Sequence, residues 1–166
     1  VVHVLDDVLL RRTNAVQRAL VTPNFSILAD LVAQAGLAGD LSNEDGTFTV
    51  FAPTDDAFLA ALDDNDNGEI DDGEVPNNAA DLLQYHVANS VFYAGDEPTA
   101  PSGTMIPDGD TNVGTLEGSD VLVRRDGSSV TLNPENEASS VIAPDVDVTN
   151  GVIHGIDTVL QIPPSN

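Results

Sequence analysis

Lysine is absent from this 166-residue chain, as are cysteine and tryptophan, and methionine occurs once. Without cysteine, disulfides and thiolate-based metal or redox chemistry are excluded. Basic residues number five, all arginine, against 28 acidic ones, for a formal net charge of -23. Binding DNA or RNA requires neutralising phosphates with Lys and Arg, so nucleic acid is excluded as a partner. An anionic membrane surface is excluded on the same ground. Aromatic residues make up 4%, so the core is expected to be built from Val, Leu, Ile and Ala. No apolar run approaches the roughly 20 residues of a membrane span, so no direct membrane insertion is expected. The chain opens in an apolar stretch with neither a basic n-region nor a cleavage site, so any signal or anchor is expected to lie outside it. A Gly-x-Ser-x-Gly elbow and a phosphate loop are both lacking. His3, His86 and His154 are scattered without the spacing of a helical zinc site. The chain therefore does not read as an enzyme.

What is present begins with acidity. Carboxylates run along the whole chain, while arginine is confined to Arg11, Arg12, Arg18 and the pair Arg124–Arg125. Two readings fit: a solvating surface suited to high salt, or a surface that gathers cations. The first is favoured, because the charge is dispersed. The two ends of the chain also resemble each other. Val1-Val2-His3-Val4-Leu5-Asp6-Asp7-Val8-Leu9 aligns without a gap with Val152-Ile153-His154-Gly155-Ile156-Asp157-Thr158-Val159-Leu160. Strand periodicity constrains alternate apolar sites but demands neither the His nor the Asp. Residues 1–10 are read as the last strand of a preceding copy of the same domain, with residues 11–166 forming the domain itself.

Along that domain, Thr13-Asn14 offers a helix cap ahead of Val16, Ala19 and Leu20. Pro23-Asn24-Phe25-Ser26 interrupts, and a second amphipathic helix carries Leu28, Leu31, Val32 and Ala35 on one face, ended by Gly36 and Gly39. Thr47–Ala52 alternates as a half-buried strand. Thr54 then caps a helix with Asp55 and Asp56 in its first turn and Ala57, Phe58, Ala61 and Leu62 on its apolar stripe. Asn78 caps a helix over 79–87, and Val91–Tyr93 reads as a short strand. Residues 98–118, rich in Gly, Pro, Asp and Thr, read as loop with at most one short strand. Two hairpins follow, one turning at Asp126–Ser129 and one at Thr149-Asn150-Gly151, where Asn-Gly suits a tight turn. Helices early and strands late indicate an α+β domain.

Four ordered motifs resemble those of fasciclin domains: Pro23-Asn24-Phe25-Ser26-Ile27-Leu28; Thr47 through Phe58, with its Phe-Ala-Pro-Thr-Asp-Asp-Ala-Phe run; Leu83-Gln84-Tyr85-His86-Val87; and Asn150 through Leu160. The resemblance spans about residues 12–163. It implies a fasciclin fold, a compact β-sandwich or wedge of two small sheets with several helices alongside. It implies an extracellular or cell-surface module of adhesion, or of matrix or biofilm attachment. The partners implied are a cell-surface or matrix protein or polysaccharide and neighbouring fasciclin repeats. A passive spacer or stalk repeat is the alternative. By the same resemblance Tyr85 and His86 are candidate adhesion residues, with a structural role as the competing reading. Phe48, Val50, Phe58, Val152 and Ile156 are expected in the core, and His154 as a hydrogen-bonded structural histidine.

One segment departs from that family. Asp63-Asp64-Asn65-Asp66-Asn67-Gly68-Glu69-Ile70-Asp71-Asp72-Gly73-Glu74 matches the twelve-residue EF-hand calcium loop position by position. Asp63, Asn65 and Asn67 stand at 1, 3 and 5 as side-chain oxygen donors, and Gly68 at 6, where the turn needs positive φ. Glu69 offers its carbonyl at 7, Ile70 is the aliphatic residue at 8, Asp71 acts at 9 through water, and Glu74 is bidentate at 12. An acidic solvated loop explains the carboxylates but not Gly, aliphatic and Glu at 6, 8 and 12 together. A structural Ca2+ is therefore expected. Asn at 3 and 5 lowers the ligand charge, which points to the weak extracellular range of about 10⁻⁴ to 10⁻³ M.

Overall fold

The computed structural model describes residues 14–42, 47–71, 73–95, 104–133, 135 and 138–163. The strand expected over 1–10, Thr13 of the first cap, and the Arg11–Arg12 pair lie outside the described residues.

Helix α1 (Ala15–Val21) starts at Asn14, whose side chain accepts from Gln17 N while Gln17 reaches back to the Asn14 backbone. This reciprocal capping box satisfies two N–H groups that the first turn would otherwise leave unpaired. Ala15 and Ala19 face inward, but Leu20 is 63% exposed, so the expected stripe is narrower by one residue. A 3₁₀ turn at Pro23–Phe25 leads into α2 (Ser26–Gln34), which buries Leu28, Leu31 and Val32. Gly36 ends α2 with φ +73. Gly39 sits inside a further short helix, α3 (Ala38–Leu41), and does not terminate α2. Helix α4 (Asp55–Leu62) begins at Thr54, whose hydroxyl accepts from Ala57 N. Its buried stripe is Ala57 and Phe58, with Ala61 exposed. Helix α5 (Ala79–Tyr85) is two residues shorter than the sequence suggests, because His86 ends it as the C-cap and Val87 begins strand β2 (Val87–Ala88). Asn78 occupies its cap position without a side-chain cap bond.

Nine strands complete the described structure. Strand β1 (Phe48–Pro53) pairs in parallel with β9 (Gly151–Ile156) from Phe48↔Gly151 to Pro53↔Ile156, so the first and last strands lie side by side. β1 is buried on both faces, not on one: Val50 and Ala52 pack with Ile153 under the helices, and Phe51 packs with Ile156 on the opposite side. Parallel pairs are covered on both sides for this reason, which is why clean alternation misleads at Thr49, itself fully buried. Strands β3 (Phe92–Tyr93) and β4 (Thr104–Met105) form a small separate sheet. The stretch 98–118, read as loop with at most one short strand, holds β4 and also strand β5 (Gly109–Gly114). β5 then continues into the larger sheet. It joins β6 (Asp120–Asp126), β7 (Ser129–Leu132) and β8 (Ser139–Val148) in an antiparallel run.

The large sheet has the order β2-β1-β9-β8-β7-β6-β5. β8 makes the corner: its Ser139 and Ser140 pair with β7, while Val141 to Val148 pair with β9 through two register shifts. A strand that changes partners this way folds the sheet into two packed halves. The far edges then approach, with Ala88 bridging Thr115. The two sheets are thus unequal, and the wedge lies largely within the bigger one. Aromatic residues are scarce, yet Phe51, Phe58, Tyr85 and Tyr93 are among the largest fully buried side chains. Each buries enough area to dominate its neighbourhood, so the few present go to the centre.

Candidate cation loop and the Tyr-His segment

Residue Asp63 caps the end of α4 with its backbone N–H donating to Leu59 O, and leaves the helix at ψ 87. The chain then turns through Asp66 at φ +56 and Gly68 at φ +83. Asp63 organises this turn: its carboxylate accepts from Asn67 N at 3.1 Å and Gly68 N at 2.8 Å. At the other end Glu74 reaches back, accepting from Asp64 N, Asn65 N and Asn65 Nδ2 at 3.1, 3.3 and 2.8 Å and from Asp71 N at 3.0 Å. Asp71 accepts from both Asn65 Nδ2 and Asn67 Nδ2, at 3.2 and 2.9 Å. Five of the six expected ligands, Asp63, Asn65, Asn67, Asp71 and Glu74, are therefore drawn into one hydrogen-bonded cluster. Glu69 joins it through its backbone N–H, which donates to Asn67 Oδ1 at 2.8 Å.

The cluster is exposed; Val75 packs half-buried against the helical core, and Ile70, also half-buried, lines a cleft with Ile27 and Leu31 of α2. Among the described residues, no three His, Cys, Asp or Glu side chains form a metal-holding group. The loop's donor set is instead mixed, with two carboxamides between its carboxylates. Asp72 lies outside the described residues.

Tyr85 and His86 sit at the end of α5 and are each 1% exposed. His86 Nδ1 donates to Leu82 O at 2.7 Å, and its Nε2 accepts from Leu160 N at 2.9 Å. Both ring nitrogens are committed, in the neutral tautomer. Burial disfavours the imidazolium and lowers the His86 pKa to about 4, against a smaller opposing effect of the Leu82 carbonyl. Tyr85 Oη donates to Asp120 O and accepts from Asn133 Nδ2, and burial raises its pKa. The pair joins α5 to β6 and to the segment after β9. Neither side chain offers surface to a partner, and the structural reading accounts for both.

His154 is buried in β9 and stacked on Phe51, with ring centroids 5.8 Å apart. Its Nε2 donates to Phe92 O at 2.8 Å and its Nδ1 accepts from Asp145 N at 3.1 Å. Desolvation lowers its pKa despite the opposing pull of Phe92 O and of Asp145. This is the satisfied structural histidine expected from sequence.

Three organising residues escaped sequence reasoning. Asp145 stands at φ +56 in the β8 bulge, and its carboxylate accepts from Ala94 N and Gly95 N at 2.8 and 2.6 Å. Asp55, read as a first-turn acid of α4, also accepts from Ser26 Oγ and Ile27 N at the start of α2. Asn150 is not at positive φ; its buried carboxamide accepts from Ala15 N at 3.0 Å and donates to Leu41 O at 2.7 Å. The Asn-Gly and Thr-Asp dipeptides were visible signals, but local turn or cap chemistry explained them without these distant partners.

Comparison with known proteins follows the same outline. The fasciclin domain family model matches residues 23–163. Transforming growth factor-beta-induced protein ig-h3 of Sus scrofa is 34% identical over 142 residues, covering 86% of this chain and 18% of that protein. Protein sll1483 of Synechocystis sp. is 36% identical over 143 residues, covering 84% of this chain and 68% of that protein. Human periostin is 31% identical over 167 residues, covering 96% of this chain and 17% of that protein. The chain thus spans less than a fifth of the animal relatives. Among solved structures, a FAS1 domain pair from the insect cell adhesion molecule fasciclin I superimposes with a TM-score of 0.67 at 19% identity, over 90% of this chain and 51% of that one. The chain belongs to the fasciclin domain family.

Proposed function

We propose that this domain is a non-catalytic extracellular attachment module, braced by one calcium ion in the Asp63–Glu74 loop. The observation that carries the attachment reading is fasciclin membership across nearly the whole chain. Its partners are a cell-surface or matrix protein or polysaccharide, together with neighbouring fasciclin repeats. The non-catalytic reading draws on His86 and His154, whose ring nitrogens are all engaged within the core. Contact with a partner falls to the acidic exterior, since Tyr85 and His86 hold the fold from within.

The calcium reading is supported by the donor chemistry. Asp63, Asn65 and Asn67 supply side-chain oxygens, Glu69 its carbonyl, Asp71 a water-mediated contact, and Glu74 a bidentate carboxylate. All are hard oxygen donors, suited to a hard cation. Here Asn65 and Asn67 turn their amide N–H groups toward Asp71 and Glu74, filling the place a cation takes between carboxylates. A half-turn of each carboxamide exchanges N for O and converts both to ligands. The ion supplies the charge that holds these carboxylates together.

Immobilised domain is presented to cells, matrix proteins and polysaccharide beside an unrelated domain of equal net charge. Retention above that control is expected. Equal retention rejects attachment and favours the spacer alternative. Calorimetric titration with calcium addresses the loop separately: absence of heat, with a melting temperature indifferent to chelation, rejects the ion.

A further inference from the structure

The chain contains two Asn-Gly steps, Asn67–Gly68 and Asn150–Gly151. Asn-Gly is the dipeptide most open to intramolecular attack on the carboxamide, because glycine has no Cβ to hinder its backbone nitrogen. The two are alike in sequence and opposite in environment.

We propose that Asn67 is a site of spontaneous deamidation that adds a negative charge to the Asp63–Glu74 loop as the protein ages. In this step the Gly68 backbone nitrogen bonds to Asn67 Cγ, and the Cγ–Nδ2 bond breaks. The amide nitrogen leaves as ammonia, carrying the proton released from Gly68 N. Water then adds across one C–N bond of the resulting five-membered imide, giving aspartyl or isoaspartyl at position 67. No oxidant or reductant is involved.

Asn67 is exposed, and the space a Cβ would occupy on Gly68 is empty to 4 Å. Asn67 Nδ2 donates to Asp71 Oδ2 at 2.9 Å, its Oδ1 accepts from Glu69 N at 2.8 Å and Gly68 N donates to Asp63 Oδ2 at 2.8 Å, but all three bonds are exposed, so water replaces them as the ring closes. Asn150 is 2% exposed, and its carboxamide is held at both ends, by Ala15 N and Leu41 O. Ring closure there must break two buried hydrogen bonds, and Gly151 is crowded by the Phe48 backbone. The native fold therefore protects one site and leaves the other open.

The product alters the loop. An aspartate at 67 no longer donates to Asp71 Oδ2, where Asn67 Nδ2 now sits at 2.9 Å. It sets a new carboxylate beside an existing one, and such a pair repels. The isoaspartyl form also adds a backbone carbon inside the turn. In either form the loop becomes more dependent on a cation to close it. This last consequence rests on the calcium reading; the deamidation does not.

The test is incubation of the folded chain at mildly alkaline pH, followed by ion-exchange chromatography and peptide mass mapping. Expected is an earlier-forming acidic species that co-elutes with Asn67→Asp protein. Its mass gain, that of an amide-to-acid exchange, maps to the Asn67 peptide while the Asn150 peptide is unchanged. In denaturant both peptides convert at similar rates. Asn67→Gln, whose longer side chain closes the ring poorly, should lose the acidic species. The proposal is overturned if Asn150 converts as fast as Asn67 in the folded chain. It is equally overturned if Asn67 stays intact over a time in which the denatured chain converts.

Discussion

Replacing His86 with leucine separates the packing role of this side chain from its proton. The ring is buried and neutral, with both nitrogens bonded inside the core. Its pKa is about 4 in the folded state against an ordinary value of about 6.5. Between those values the unfolded chain binds a proton that the folded chain refuses. Stability from neutral His86 is thus complete above about pH 6.5 and falls as pH drops toward 4. Linkage over that span gives a loss of roughly 2–3 kcal/mol between pH 7.5 and pH 4.5. Leucine fills much of the same volume and cannot titrate. It leaves Leu82 O and Leu160 N without their partner, at a cost of about 1–3 kcal/mol each at any pH. Urea unfolding of both proteins at the two pH values, followed by circular dichroism, measures the difference. The variant should be the less stable at pH 7.5, by about 2–6 kcal/mol. On moving to pH 4.5 it should lose roughly 2–3 kcal/mol less than the parent. Relief of surface repulsion as carboxylates protonate affects both proteins, as does the similarly lowered pKa of His154, so the double difference isolates His86. Parallel pH profiles for the two proteins would refute the buried neutral imidazole.

Other perturbations follow from single contacts. A Cβ at Gly151 lies 1.9 Å from Phe48 O at φ +146, so Gly151→Ala should cost on the order of 4 kcal/mol or leave the chain unfolded in thermal melts. Asn150→Ala strands Ala15 N and Leu41 O and should lower stability by about 2–4 kcal/mol in urea titration. If the calcium constant is about 10⁻⁴ to 10⁻³ M, 10 mM calcium should stabilise the parent by about 1.4–2.7 kcal/mol. Glu74→Gln should abolish that gain, and an equal gain in the variant removes Glu74 from the site. Asp110→Asn breaks the exposed fork with Arg124, at 2.6 and 2.8 Å. Its effect on the melting midpoint should be small, because solvent screens an exposed ion pair and ordering two side chains offsets their attraction.

The parts of this protein legible in sequence are those set by neighbours along the chain. Asn14 and Thr54 cap their helices because a cap needs only a side-chain oxygen and the next three residues. The hairpin joining β6 and β7 follows from Asp126-Gly127 and its flanking alternation. The turn at Gly68 has the positive φ expected there, because the glycine and the residues that fix the turn lie within twelve positions of one another. The family itself was visible as four motifs in order.

Tertiary structure decided what depends on residues far apart. β1 and β9 are separated by nearly 100 positions, and nothing local in Phe48–Pro53 says that both of its faces will be covered. Val87 continues a helical pattern, yet the edge of β1 offers hydrogen bonds that the last turn of α5 does not. Asp55 and Asn150 read as ordinary first-turn and turn residues, and Asp145 carries no local signal, until the fold brings distant N–H groups to them. Tyr85 and His86 were ambiguous for the same reason. A sequence shows that a side chain can bond or bind, and only packing shows whether its surface is already occupied.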